Sequence, residues 1–195
     1  PFIMEEANAL NEAVPALKQG QPIGDGIGPM VVGKMMLGTK KQKASFETVW
    51  SETKYEGRKL FLIKAEGPSA TVGRPGEAIE TIVSQNKPDL IIMVDASLKL
   101  EGEDSASVSQ GFGAAIGGIG TDRFQIEDIA TKHNIPVFAI VIKQSVKEAI
   151  NLMTKEVADR AEEVSSQIYE MINNNTSTGH TGLVVVVGNT LGESQ

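Results

Sequence analysis

Five consecutive apolar residues, Leu90 to Val94, constrain the fold of this chain more than any other stretch. A short apolar run with β-branched side chains is typical of a strand buried on both faces, as in the middle of a parallel sheet covered by helices. The run stops at a carboxylate, Asp95. Because α/β sheets bind ligands beyond the carboxyl ends of their strands, the sequence predicts that Asp95 ends this strand and lies at a functional site.

Helical and strand-like patterns alternate along the rest of the chain, which contains 195 residues. This alternation predicts an α/β fold with a mostly parallel central sheet, and the length is that of a single domain over residues 1–195. Apolar and polar residues alternate between Ser45 and Ala65, which predicts a hairpin or two adjacent strands. The remaining helical patterns cover residues 4–14, 29–38, 75–85, 122–133 and 145–173, and the remaining apolar strands cover 135–142 and 183–187.

Charge and cysteine content narrow the classes of partner and site. The net charge of -7 disfavours a nucleic-acid backbone or an anionic membrane surface as the main partner, because like charges repel. No cysteine is present, which excludes disulfides, zinc-thiolate sites and cysteine nucleophiles. No apolar run approaches the ~20 residues of a membrane span, and we therefore expect a cytoplasmic location. Because the chain opens with Pro1, it can be a fragment of a longer protein with an upstream membrane anchor.

A second carboxylate, Asp25, lies in a glycine-rich turn just before the helix expected to begin at Pro29. We predict that Asp25 and Asp95 share one site. Two carboxylates brought close together cannot both ionise cheaply, so one pKa rises and the pair supplies a base and an acid, as in aspartic peptidases. A divalent cation held by the same pair would instead give a metal-assisted hydrolase. In the alternative interpretation, Asp25 caps the following helix and Asp95 caps the turn after its strand.

The most glycine-dense segment, Gly111 to Gly120, falls between a predicted strand and a predicted helix. Glycines at this density let backbone N–H groups approach a peptide carbonyl, an oxyanion or a phosphate. A nucleotide-binding module centred on this segment is one alternative, although the glycine spacing departs from the Gly-x-Gly-x-x-Gly pattern of dinucleotide loops. A flexible crossover without a ligand is another.

Ser145 and Glu148 have the spacing of a capping box at the start of a long helix. Apolar residues at every third or fourth position form one seam through residues 145–173, which predicts packing on the sheet or against a partner helix. A straight helix of this length would exceed about 40 Å, longer than a small domain needs. We therefore expect either a break near Thr154 or a homo-oligomer contact through this helix.

Two segments resemble the germination proteases of spore-forming bacteria. The first runs from Lys87 to Ala96 and is followed by Ser109-Gln110, by the glycine-dense segment and by an apolar strand, Val137 to Val141. The second, Asp25-Gly26-Ile27-Gly28-Pro29, resembles the Asp-Ala-Leu-Gly-Pro turn of those proteases. It is also similar to the Asp-Gly-x-Gly turn of the hydrogenase maturation proteases, which share that fold.

In both families the turn follows a strand that ends in Gly-Asn, whereas the matching strand here, Val184 to Asn189, is at the C-terminus. The resemblance therefore implies a circularly permuted, three-layer fold of the phosphorylase/hydrolase-like kind, with the C-terminal strand inserted beside the Asp25 turn. The chain also resembles an uncharacterised archaeal family whose members tend to carry an N-terminal membrane segment.

The resemblance implies a peptidase-like hydrolase that acts on a peptide or protein, with Asp25 and Asp95 as the catalytic pair. In the hydrogenase maturation proteases the equivalent carboxylates bind a metal together with a histidine, which makes the same pair candidate ligands of a divalent metal. Neither His133 nor His180 matches that histidine position, so a catalytically inactive binding or scaffold domain is the alternative. The residues expected to line the substrate cleft are Gly24, Gly26, Gln110, Gly113, Gly117, Gly118, Gly188 and Asn189.

Overall fold

The computed structural model describes residues 4, 7, 23–44, 47–67, 73–112 and 121–186. None of the helices in these ranges combines the length and the apolar character that a membrane-spanning segment needs. After a short 3-10 turn at Gly24–Gly26, here called the Asp25 turn, the helices are α1 (Ile27–Met35), α2 (Pro75–Asn86), α3 (Thr121–Lys132), α4 (Val146–Ile150) and α5 (Lys155–Asn175). The strands are β1 (Gln42–Lys43), β2 (Thr48–Tyr55), β3 (Arg58–Ala65), β4 (Leu90–Leu98), β5 (Val108–Phe112), β6 (Val137–Gln144) and β7 (Thr181–Val186).

The strands of the described residues form one mixed sheet in the order β1-β2-β3-β7-β4-β6-β5. The inner strands β3, β7, β4 and β6 are parallel, whereas β1, β2 and β5 pair antiparallel towards the edges. The expectation of a mostly parallel sheet thus holds for the inner strands and is wrong for the edges. The turn between β2 and β3 shows one reason, because Glu56 (φ 44°) and Gly57 (φ 77°) both have positive φ, as a two-residue type I′ hairpin requires.

The last described strand, β7, lies in the middle of the sheet between β3 and β4. Val185 pairs with Ile63 on one side and with Met93 on the other, and Val186 pairs with Val94. The predicted position of the C-terminal strand, next to the run that leads to Asp95, is therefore confirmed. Burial on both faces explains why this strand is continuously apolar.

Side chains alternate between the two faces of the sheet, and each face packs against a different pair of helices. On β4, Leu90, Ile92 and Val94 belong to a core cluster with residues of α1 and α5. The intervening Ile91 and Met93 belong to a second cluster with residues of α2 and α3. Full burial of each such side chain contributes about 1.5–3 kcal/mol, so helix packing on both faces stabilises the sheet.

The long helix predicted over residues 145–173 is divided into two helices. α4 ends at Ile150, Asn151 is extended, and the Thr154 hydroxyl starts α5 by accepting a hydrogen bond from the Val157 N–H at 3.2 Å. The expected break near Thr154 is confirmed. The apolar seam of α5 packs into the core of its own chain and is therefore not available to a partner helix.

Candidate active site

Asp95 lies inside β4 rather than at its end. The strand continues to Leu98, and residues 95–98 pair in register with Val141 to Gln144 of β6. The expectation that Asp95 ends the strand is wrong, because β6 extends beyond Val141 and supplies backbone partners for three more residues. The Asp95 side chain is only 3% exposed, and its Oδ1 accepts a hydrogen bond from the Ala96 N–H at 2.7 Å.

The Asp25 turn is held by the segment that begins at the end of β6. The Gly24 N–H donates to the carbonyl of Asn151 at 3.0 Å, and Gln144 Nε2 donates to the carbonyl of Gly24 at 2.8 Å. Both backbone groups of the residue before Asp25 are therefore bonded. Asp25 itself is half-buried.

Helix α1 brings the other end of the Asp25 turn against β4 and β7. A Cβ atom on Gly28 would lie 2.7 Å from Val186 Cγ2 and 3.7 Å from the carbonyl oxygen of Val94. Such a close approach of a helix to two strands requires a residue without a side chain. The turn is thus fixed from both sides, by β6 through Gly24 and by β4 and β7 through Gly28.

The structure does not place Asp25 as the cap of α1. The helix begins at Ile27, two residues before Pro29, and its N-cap position is occupied by Gly26. No side chain makes a capping hydrogen bond there.

These contacts place the Asp25 turn over the carboxyl ends of β4, β6 and β7. Gln144 pairs with Leu98 at the end of β4, and Val186 pairs with Val94 immediately before Asp95. Alternation along β4 turns Asp95 towards the face of α2 and α3, whereas α1 packs on the opposite face. The Asp25 turn and Asp95 therefore lie at the same edge of the sheet.

The other residues expected to line the cleft are only partly described. Gly24 and Gly26 are buried within the Asp25 turn. Gln110 lies in β5, pairs with Ile140 and donates a hydrogen bond from Nε2 to Gln167 Oε1 of α5 at 2.7 Å. The structure thus connects Gln110 to α5 rather than to the Asp25 turn. The remaining predicted residues, Gly113, Gly117, Gly118, Gly188 and Asn189, lie outside the described residues.

Ser97 adds a hydroxyl group on the same face of β4 as Asp95, two residues further along. Ser97 pairs in register with Lys143, whose Nζ lies 3.7 Å from Glu103 Oε1. The Ser97 Oγ is buried, and among the described residues it has no hydrogen-bond partner.

Sequence analysis missed Gln144, the last residue of β6. Its side chain is 0% exposed, although Lys143 separates it from the apolar part of the strand. The signal that could have identified it is its place between a buried strand and the capping box that starts at Ser145. A buried amide without a hydrogen bond costs about 1–3 kcal/mol, so a glutamine at such a position must find a partner elsewhere in the fold.

The predicted capping box is present at the start of α4, the helix that lies against Gly24. The Glu148 N–H donates to Ser145 Oγ at 3.1 Å, and the Ser145 N–H donates to Glu148 Oε2 at 2.7 Å. Burial raises the pKa of Glu148, but hydrogen bonds from Ser145 and Ser105 and the charge of Lys99 outweigh it and hold the pKa below the usual value of a glutamate.

This lowered pKa predicts a pH-dependent contribution to stability. A carboxyl whose pKa is lower in the folded state stabilises the fold above its unfolded pKa, and this stabilisation is lost as the pH falls through the folded value. We expect Glu148→Gln to lower the free energy of unfolding by about 0.3–1 kcal/mol at pH 7, because the amide can keep the hydrogen bond from the Ser145 N–H but loses the charge at the start of α4. The effect should be smaller at acid pH, where Glu148 itself is protonated. Urea denaturation at neutral and acid pH measures the difference. Glu80→Gln, at an exposed position of α2, is the control and should differ little from the parent at either pH.

Both histidines lie at the edge of the sheet opposite the Asp25 turn. His180 directly precedes β7, and its Nδ1 accepts a hydrogen bond from the Ser177 N–H at 2.9 Å. His133 lies between α3 and the start of β6. In the part of the chain that the structure describes, no three His, Asp or Glu side chains are grouped so that they could hold a metal ion.

The fold and the site together define an α/β protein that brings two aspartates to the carboxyl edge of a mixed sheet. The sequence model of a family described as "Domain of unknown function (DUF1512) C-terminal" matches residues 23–194. The chain therefore belongs to the DUF1512 C-terminal family.

Comparison with curated proteins finds germination proteases of Clostridium perfringens. Those of strains SM101 and 13 are each 29% identical to this chain over 159 residues. Each match covers 77% of this chain and 47% of the relative, so the chain spans about half the length of the curated relatives it matches. Among solved structures, a protein of unknown function from Corynebacterium glutamicum ATCC 13032 is 9% identical with a TM-score of 0.36, over 65% of this chain and 59% of that chain.

Proposed function

We propose that this domain is a peptidase-like hydrolase in which Asp25 and Asp95 form a paired-carboxylate site. One observation carries the proposal: Gln144 and Gly28 hold the Asp25 turn over the strand ends next to Asp95. The distant similarity to germination proteases supports the reaction class and a peptide or protein as substrate.

In the proposed reaction, one carboxylate takes a proton from a water molecule while the water oxygen attacks the carbonyl carbon of the scissile peptide bond. The second carboxyl group gives its proton to the amide nitrogen as the C–N bond breaks. One water molecule is consumed, and the products are a new carboxyl terminus and a new amine. A divalent cation held by the two carboxylates would supply Lewis-acid activation of the water, and carboxylate oxygens suit such a hard cation.

Several other groups are proposed to bind the substrate. The Ser97 hydroxyl, which has no partner among the described residues, is suited to hydrogen-bond a backbone group of the peptide. Gly24 and Gly26, which are buried within the Asp25 turn, are proposed to shape the cleft by holding that turn in place. Further proposed residues of the cleft are Gly113, Gly117, Gly118, Gly188 and Asn189, together with Gln110, which also binds Gln167 of α5.

We also infer that the domain is a circularly permuted, three-layer relative of the phosphorylase/hydrolase-like fold. The position of β7 between β3 and β4 supports the permutation, since a strand from the C-terminus occupies the place expected for a strand before the Asp25 turn. The two core clusters on opposite faces of the sheet support the three layers.

A cleavage assay tests the proposed function. The protein is incubated with a mixture of peptides of varied sequence, and new termini are detected by mass spectrometry, with a chelator or with added Mg²⁺, Mn²⁺ or Zn²⁺. We expect cleavage that the double variant Asp25→Asn/Asp95→Asn lacks, and inhibition by the chelator would identify the metal-assisted form. Equal cleavage by the double variant would contradict the proposal, and binding of peptides without any cleavage would favour the scaffold alternative.

A further inference from the structure

Gln144 is a polar side chain in a position where the core would accept an apolar one. It closes β6 and is fully buried, next to Ile142 of the cluster formed with α1 and α5. Its Nε2 donates to the carbonyl of Gly24, 120 residues away in sequence. Among the described residues its Oε1 has no hydrogen-bond partner. A buried amide whose oxygen has no partner among the described residues is not optimal for stability, which favours a role in the site.

The hydrogen bond of Gln144 connects the two halves of the candidate site through one strand. On β6, Val141 pairs with Asp95, and Gln144 lies three residues further, roughly 10 Å along the strand. The backbone of β6 therefore pairs with Asp95, and a side chain of the same strand binds Gly24, the residue before Asp25.

Gly24 shows how tightly this connection is packed. A Cβ atom at Gly24 would overlap the backbone carbonyl oxygen of Glu148 and the Oε1 of Gln144. The second backbone bond of Gly24, to the Asn151 carbonyl, comes from the same segment at 3.0 Å. The position of the Asp25 turn is thus set by residues 144–151, and Gln144 supplies its side-chain contact.

We infer that Gln144 is a positioning residue, whose amide sets where Asp25 lies relative to Asp95. The inference rests on the proposed function and deepens it. Gln144 acts through Gly24 and does not take part in proton transfer itself. A displacement of about 1 Å in a catalytic group can cost about 100-fold in rate, so loss of this one donor is expected to affect turnover more than peptide binding.

Two substitutions at Gln144 test the inference. Gln144→Met has a similar length and no donor, and Gln144→Leu removes the donor with a shorter apolar side chain. For both variants we expect kcat to fall about 10- to 100-fold while KM stays within about twofold of the parent. The kinetic constants are measured with a peptide that the parent cleaves, and rates are divided by the folded fraction.

Arg58→Met is the matched control for lost stability. Arg58 donates to the Thr176 hydroxyl at 2.8 Å and to the Thr176 carbonyl at 3.0 Å, so it also links distant parts of the chain, but at the opposite edge of the sheet. We expect this variant to lose stability and to keep the kcat of the parent. If Arg58→Met lowers kcat as much as the Gln144 variants do, the effect of Gln144 is merely structural and the inference is overturned.

The backbone amide signals of Gly24, Asp25 and Gly26 in ¹H–¹⁵N spectra provide a readout that does not depend on activity. We expect them to move in Gln144→Met and to stay in place in Arg58→Met. If the parent cleaves no peptide, the proposed function fails, while the spectra still decide whether Gln144 sets the position of the turn. Unchanged signals in Gln144→Met would overturn the inference, and so would moved signals with an unchanged kcat in an active parent.

Discussion

Asp95→Asn is expected to lower peptide hydrolysis by about 100- to 10,000-fold, the usual range for loss of a general acid or base, and Asp25→Asn is expected to do the same. Asparagine keeps the size of aspartate and retains an Oδ1 that can accept the Ala96 N–H bond, so β4 should be undisturbed. An amide can neither take nor give the proton that the reaction requires. The double variant should be no slower than the worse single variant, because two groups that act as a unit are lost together.

Asp89→Asn is the matched control for these two variants. Asp89 precedes β4 at the amino edge of the sheet, and its Oδ2 accepts a hydrogen bond from the Thr181 N–H at 2.9 Å, much as Asp95 accepts one from Ala96. Initial rates on one peptide, together with thermal melting of all variants, separate loss of chemistry from loss of fold. We expect Asp89→Asn to keep the parental rate. Parental rates in both Asp25→Asn and Asp95→Asn would show that the two carboxylates do not perform the reaction.

The inner strands could be predicted from the sequence because burial on both faces leaves a continuous apolar run. Leu90 to Val94 and the valines of β7 have this pattern, and both lie in the middle of the sheet. The place of β7 between β3 and β4, however, did not follow from its own residues. It was predicted from the resemblance of the Asp25 turn and of the strand Val184 to Asn189 to families in which such a strand comes first.

The extent of β4 beyond Asp95 could not be predicted, because its cause is in another strand. Residues Ala96 to Leu98 are not an apolar run, and they remain in the sheet because β6 continues to Gln144 beside them. The hairpin of β2 and β3 agrees with the alternation between Ser45 and Ala65, whereas the antiparallel direction of β5 beside β6 was not predicted.

The candidate site could be predicted only in part for the same reason. Asp25 and Asp95 were both expected at one edge of the sheet, and the contacts of the Asp25 turn place it over the strand ends next to Asp95. The partner of Gln144 lies 120 residues away, so no local pattern could connect it with Gly24. A hydrogen bond between such distant residues can be predicted only when the order of the strands in the sheet is known.

Gly24→Ala is expected to have the largest effect on stability among substitutions at the candidate site, lowering the free energy of unfolding by about 3 kcal/mol. The added methyl group would overlap the backbone oxygen of Glu148, which cannot rotate away as a side chain can. By contrast, a methyl group on Gly28 would meet a side-chain atom, Val186 Cγ2, at 2.7 Å, and a rotation of that valine can relieve part of the strain. Urea denaturation should therefore show a lower midpoint for Gly24→Ala than for Gly28→Ala, with unchanged slopes.

Gly33→Ala is the control, because it adds the same methyl group to the same segment without an overlap. Its Cβ would lie 3.4 Å from Lys64 Cε, an ordinary contact distance, and Gly33 is inside α1. Since alanine favours a helix by about 1 kcal/mol over glycine, this variant should be as stable as the parent or more so. A Gly24→Ala protein that unfolds at the same urea concentration as Gly33→Ala would show that the Asp25 turn is not pressed against α4. The anchoring of Asp25 next to Asp95, on which the proposed hydrolase depends, would then have no structural basis.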